Sequence, residues 1–348
     1  MTISDRSSRF PRNALSFCAA LLAVVMFAAP AAAATLKIAT LSPEGSVWMK
    51  VLRQHGKEIE KRTGGSVKMK FYPGGVMGDD KAVLRKMRVG QLHGAVVTAG
   101  GLIQVYPDIG LYNLPMLFAD EAEVDAVRQV MDERLMAGLR KKKFVGFGIA
   151  EVGFAYPMTQ QPATSVAQLR QSKVWTPDND IGALRGFEAF EISPIPLPMA
   201  DVLAGLQTGL IDSVASPPIG TIALQWHTQV GYGLDVPLIY VYGLFALTER
   251  QFNRLSEAEQ AIVREEMMAA VAAVDRSARA DHTNAKAALL NQGIEWLKPS
   301  AAEAQEWSSL AAVARDDLVA SGYVSAQIYQ QTQRVLEEYR SGAQGTSD

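Results

Sequence analysis

The stretch Thr35–Gly75, "TLKIATLSPEGSVWMKVLRQHGKEIEKRTGGSVKMKFYPGG", decides the fold. Its first seven residues, Thr35–Leu41, alternate and are rich in β-branched and aliphatic side chains, the pattern of a strand. Ser42-Pro43-Glu44-Gly45 breaks that strand. Val47, Val51, Leu52 and Ile59 then recur at helical spacing, and Gly64-Gly65 stops the helix. "SVKMKFY" alternates again and ends at Pro73-Gly74-Gly75. Strand, helix and strand in this order predict a parallel pair joined by a crossover helix.

The same alternation continues outward. A helix is expected over about 79–90, an apolar strand over Ala95–Val97, and a long amphipathic helix over Asp120–Lys143. "FVGFGIA" and "VGFAYPMT" read as two further strands, followed by a short helix over Ser165–Arg170. In "SKVWTPDND" (Ser172–Asp180) a short strand, Lys173–Trp175, stops at Thr176-Pro177. "IGALRGFEAFE" is helical, "PIPLP" extended, "MADVLAGLQTG" a helix closed by Gly209, and "LIDSVAS" a strand ending at Pro217-Pro218. From Ser256 to about Arg340 the chain is almost all helix, opened by a capping box at Ser256–Glu259. The last eight residues, Ser341–Asp348, have the composition of a disordered tail. The expected fold class is α/β with a parallel-rich sheet in two lobes, and the chain crosses between the lobes more than once.

The chain has 348 residues, 48% of them apolar and 20% charged, enough for about two lobes with cores of their own. A net charge of −2 gives no global attraction to nucleic acid or to an anionic membrane. The N-terminus is a separate object. Arg6, Arg9 and Arg12 precede an apolar run over Ala14–Ala29, and Ala32-Ala33-Ala34 makes a small-x-small cleavage site before Thr35. Residues 1–34 are therefore expected to be a cleavable signal peptide. Cys18, the only cysteine, would leave with them, so the exported chain would have no disulfide and no thiolate chemistry. The expected location is the periplasm.

Catalytic signatures are missing. His55, His93, His227 and His282 show no metal spacing, and His55 and His282 fall on helices whose solvated faces would hold them. There is no GxSxG elbow, and "GGVMGDDK" lacks P-loop spacing. Lys141-Lys142-Lys143 suits the C-terminal dipole of the helix it ends. Asp178 and Asp180 could hold a cation, but such residues more often cap the next helix. No cofactor, metal site or enzyme activity is expected, and a binding role is.

Several spaced motifs carry a family resemblance. Gly45–Val97, with its "YPGG" turn and "KMRVGQL" segment, "YNLPMLF" (Tyr112–Phe118) and "GLQTGLID" (Gly205–Asp212) occur in one order over the whole chain after the leader. Together they resemble the substrate-binding proteins of TRAP transporters (tripartite ATP-independent periplasmic transporters), the DctP-type family. The resemblance implies two α/β lobes linked by hinge strands and a long helix spanning both. It implies lobe I over 35–152 plus a return near 241–280, lobe II over 153–240, and C-terminal helices over 256–340 packed on both. It implies capture of a small-molecule ligand and delivery to TRAP membrane symporter subunits. Some relatives also use a periplasmic helical-repeat partner.

The sequence departs from the family at the ligand contacts. The arginine that clamps a ligand carboxylate in most members has Trp175 in its place here. A second arginine, after Gly-Phe, is replaced by Ala155 next to Phe154, and a ligand-bonding asparagine gives way to Ser216. A buried carboxylate without a partner costs several kcal/mol. Trp175 instead offers roughly 200 Å² of surface, or about 5 kcal/mol of gross burial. The expected ligand is apolar or aromatic, lined by Trp175, Ala155, Ser216, Phe154, Trp48, Tyr72 and Trp226. For each of these aromatics, plain core packing is the competing reading. Two alternatives stay open: a carboxylate held through a metal at Asp178, Asp180 or Asp212 or through other donors, and a ligand-sensing module.

Overall fold

The computed structural model describes residues 33–178 and 180–344. The expected signal peptide lies outside the described residues except for its last two. β1 (Ala34–Thr40) lies between β2 (Val67–Tyr72) and β3 (Gly94–Thr98) and is parallel to both. The helix Val47–Arg62 makes the first crossover. Ser46 caps it by accepting from the Met49 N–H, and it buries Met49, Leu52, Gly56 and Ile59. Asp79 caps the second crossover helix, Asp80–Arg88, in the same way.

The sheet is mixed rather than parallel-rich. β9 (Ile239–Thr248) runs antiparallel between β3 and β4. Its sequence, "IYVYGLFALT", is buried almost throughout and lacks the alternation that marks a half-exposed strand. The two expected strands "FVGFGIA" and "VGFAYPMT" are one 16-residue strand, β4 (Phe144–Thr159). It pairs with β9 from Phe144 to Ala155, with register shifts between Gly146 and Ile149 and between Glu151 and Gly153. Bulges of this kind bend a strand without ending it. The far end of β4, Tyr156–Thr159, pairs antiparallel with β7 (Ser213–Ser216) and β8 (Tyr232–Leu234). β10 (Glu295–Leu297) continues that sheet beside β8. A separate pair joins β5 (Trp175–Pro177) to β6 (Ile195–Leu197), so the expected strand Lys173–Trp175 is displaced towards Pro177.

Gly153 has φ +106°, and a Cβ there would lie 1.2 Å from His282 Nε2. Only glycine allows β4 to pass His282 at this bulge. His282 is not on a solvated face. It is 9% exposed, its two ring nitrogens have no hydrogen-bond partner, and burial pushes its pKa down to about 4. His55 is half-buried, with Nδ1 2.7 Å from Glu266 Oε2.

Ser256 and Glu259 form the expected capping box at the start of the 35-residue helix Glu257–Asn291. At 1.5 Å per residue this helix is about 52 Å long. It packs on the helix Val47–Arg62, on β4 and on the short helix Pro218–Ala223, and so runs along both sheets. Ala301–Ala320 and Ala326–Gln344 complete the helical C-terminus. The last helix continues through Ser341–Gln344, which corrects the expected disorder there. Arg340 anchors it with two hydrogen bonds to Glu123, at 2.7 and 2.8 Å. Residues 345–348 lie outside the described residues.

Candidate functional site

Three helix starts converge between the two sheets: those of Val47–Arg62, Ile181–Ala189 and Pro218–Ala223. They wall a cavity of about 510 Å³, in the range of a small-ligand pocket. Ends of this kind attract anions when their N–H groups are free. Here two are already answered. Ser46 caps one, and Asp180 Oδ1 accepts from Gly182 and Ala183 at 3.1 and 3.0 Å in the other. The third begins at Pro217-Pro218, two residues with no N–H to give.

Tryptophans dominate the apolar wall. Trp48, Trp175 and Trp226 all line it, and so does Ser216. Trp175 is 4% exposed and meets Trp226 edge-on, with ring centroids 5.2 Å apart. Its indole N–H donates to the Leu197 carbonyl at 3.0 Å, so it is not free to hold a polar end of a ligand. Trp175 thus serves core and wall together. Ser216 is buried, and its hydroxyl donates to the Pro217 carbonyl at 3.2 Å. Trp48 is only partly buried, and it packs near Gly243 of β9.

The other expected contacts do not line the cavity. The Phe154 ring packs against Tyr240, centroids 5.4 Å apart, within the core. Ala155 is fully buried in β4, paired with Ile239. Tyr72 packs on the core at the end of β2, with Lys70 Nζ 5.4 Å from its ring centroid. β4 and β2 direct these side chains into packed layers, and a one-dimensional pattern does not say which face of a buried strand meets the cavity.

The charged wall was not foreseen. Glu151, Asp180 and Asp281 line the cavity, and no arginine, lysine or histidine does so among the described residues. Glu151 is neutralised: it accepts from Tyr240 at 2.5 Å and from Arg279 at 3.2 Å. Asp180 has no cationic partner among the described residues. Burial raises its pKa, opposed by the Ala183 and Gly182 N–H groups. Asp80 stands nearby, its pKa pushed up to about 6 by burial against hydrogen bonds from Thr98, with Asp79 and Asp180 adding like charge. Both carboxylates press on one turn, Ala99–Leu102. A Cβ on Gly100 would lie 2.3 Å from Asp180 Oδ2. Asp281 is partly exposed at the cavity wall and has no ion pair or hydrogen bond among the described residues. Asp178 is exposed, and Asp212 accepts from the Lys173 N–H at 2.8 Å. No group of three potential metal ligands occurs among the described residues. No helix among them is long and apolar enough to cross a membrane.

Residues 38–320 match the family model DctP, the bacterial extracellular solute-binding protein family 7. The protein YiiZ of Salmonella typhimurium is 25% identical over 62% of this chain and 67% of its own length. The sialic acid-binding periplasmic protein SiaP of Vibrio cholerae is 24% identical over 70% of this chain and 76% of its own. Among solved structures, the sugar acid binding protein DctPAm of Advenella mimigardefordensis, in complex with galactonate, superposes with a TM-score of 0.80. That superposition is at 18% identity and covers 88% of this chain and 98% of that one.

Proposed function

The chain belongs to the bacterial extracellular solute-binding protein family 7, the substrate-binding proteins of TRAP transporters, and on that premise we propose that its cargo is an apolar or aromatic molecule rather than a small carboxylate. One observation carries the reading: among the described residues the cavity wall has four tryptophans, Trp48, Trp175, Trp226 and Trp307, and no basic side chain. A carboxylate moved into such a wall loses its hydration and gains no counter-charge. A flat apolar body would be matched by Trp48, Trp175 and Trp226. Relatives that take sialic acid or galactonate show the role, and the wall described here supports a change of cargo within that role.

In this reading the protein works in the periplasm. Closure of the two lobes buries the ligand, and the ligand's binding energy stabilises the closed form. The loaded protein then hands its cargo to the membrane subunits of a TRAP symporter. The role is capture and delivery, without turnover.

A thermal-shift panel on the chain freed of bound small molecules tests the cargo class. Aromatic and aliphatic compounds should raise the melting point at micromolar concentrations, and small dicarboxylates and sugar acids should leave it unmoved. Stabilisation by a sugar acid in the presence of a chelator, with no response to aromatic compounds, would sink the proposal.

A further inference from the structure

The cavity's charge is one-sided, and the two carboxylates that lack a cationic partner among the described residues have different origins. Asp180 sits at the start of the helix Ile181–Ala189, where Oδ1 serves the helix, Oδ2 lies against Gly100, and the residue lines the cavity without a cationic partner among the described residues. Asp281 stands on the long helix Glu257–Asn291, in the opposite part of the chain. Glu151 differs from both, because Arg279 and Tyr240 already satisfy it. A purely hydrocarbon cargo would enclose Asp180 and Asp281 with no counter-charge, at a cost in desolvation that grows as the lobes close. A cargo bearing a positive charge removes that cost. Tryptophan faces add to the preference, since their π-clouds attract cations.

Resting on the apolar reading of the same cavity, we infer that the ligand carries a basic nitrogen on its apolar or aromatic body, an organic ammonium held by Asp180 and Asp281 with the tryptophans along its flank. The ammonium supplies the positive charge that the wall lacks among the described residues. A carboxylate in the same place would add a negative charge beside Asp180 and, through it, beside Asp80. The selectivity therefore comes from attraction of one charge and repulsion of the other within one pocket.

Three probes of one shape separate the possibilities: 2-phenylethylamine, 2-phenylethanol and 3-phenylpropanoate, titrated calorimetrically at pH 7 into the ligand-free protein. The ammonium should bind at least tenfold more tightly than the alcohol, and the carboxylate more weakly than either. In the double variant Asp180→Asn/Asp281→Asn the ammonium-to-alcohol ratio should fall to about one. Asn caps a helix about as well as Asp, so the variant keeps the local structure, and its circular dichroism melt checks this. Equal binding of ammonium and alcohol by the unmodified protein overturns the charged-cargo inference and leaves the apolar reading standing. A retained ratio in the double variant overturns the assignment to these two carboxylates. Preference for the carboxylate, or no binding of any probe, overturns both.

Discussion

Trp175 shows how one side chain can belong to core and site together. Its ring is buried against Trp226 and its N–H is spent on Leu197. Trp175→Ala should therefore cost about 3–5 kcal/mol of stability, as large-to-small core changes do, besides widening the cavity. Urea denaturation measures that cost. Trp48 is the cleaner probe of binding because it is only partly buried. Trp48→Ala should weaken an aromatic ligand tenfold or more with a small change in melting point; unchanged affinity would place Trp48 outside the contact surface. Asp80 is the residue whose charge burdens the fold. Its folded pKa of about 6 lies above the ordinary 3.8, so the folded state holds the proton more tightly. The protonated carboxyl is the favoured form: its contribution is whole below about pH 4 and is lost as pH rises through 6. Asp80→Asn keeps an acceptor for Thr98 and removes the charge. It should raise stability at pH 7 by roughly 1–3 kcal/mol and flatten the pH 4–6 slope, which urea midpoints across that range would show. A steeper slope in the variant would contradict this.

At the scale of the element, β4 is the feature that joins the two sheets. A strand of 16 residues survives because its bulges absorb the bend that would otherwise break it. We propose that the two lobes hinge at the Gly153 bulge and at the facing part of β9, where the β4–β9 register shifts. Gly153→Ala would require a left-handed backbone in a residue with a Cβ and would drive that Cβ into His282. The loss of stability should exceed about 3 kcal/mol. Adding His282→Ala should return only the part due to the clash, because the backbone strain stays. A Gly153→Ala protein as stable as the parent in urea would remove both arguments. The capping box at Ser256 is a smaller device. Ser256→Ala should cost about 1 kcal/mol, a modest share of what the 35-residue helix gains by packing on both sheets.

At the scale of the whole molecule, the cavity exists only because separate parts of the chain meet. Its wall draws on the turn after β1, the segment after β5, the start of the helix after β7, β9 and the helix Glu257–Asn291. A ligand that binds the folded chain and not the unfolded one stabilises it by mass action. At a hundred times Kd the gain is about 2.7 kcal/mol. The thermal midpoint should therefore climb with the logarithm of ligand concentration and show no plateau above saturation. A midpoint that stops rising once one equivalent is bound would point to binding outside the cooperative fold.

The amino-acid pattern by itself determined the crossover unit of Thr35–Tyr72, the capped helices and the role. Those features rest on local periodicity, on turn residues and on motifs read in order. It also pointed to Trp175 and Ser216 through positions that align with the family's ligand contacts, and to Trp48 and Trp226 as aromatics; all four line the cavity. The tertiary structure alone decided the rest. β9 and the unity of β4 were hidden because strands buried on both faces lose their alternation, and because a bulge reads as a break. Phe154, Ala155 and Tyr72 went to packed layers, since the face a buried side chain takes depends on which strand lies beside it. The acidic balance of the cavity was equally out of reach. Asp180 reads locally as a helix cap and Asp281 as one more charge on a long helix. Only folding brings them to one wall with no basic side chain lining it among the described residues, and charge is felt through space rather than along the chain.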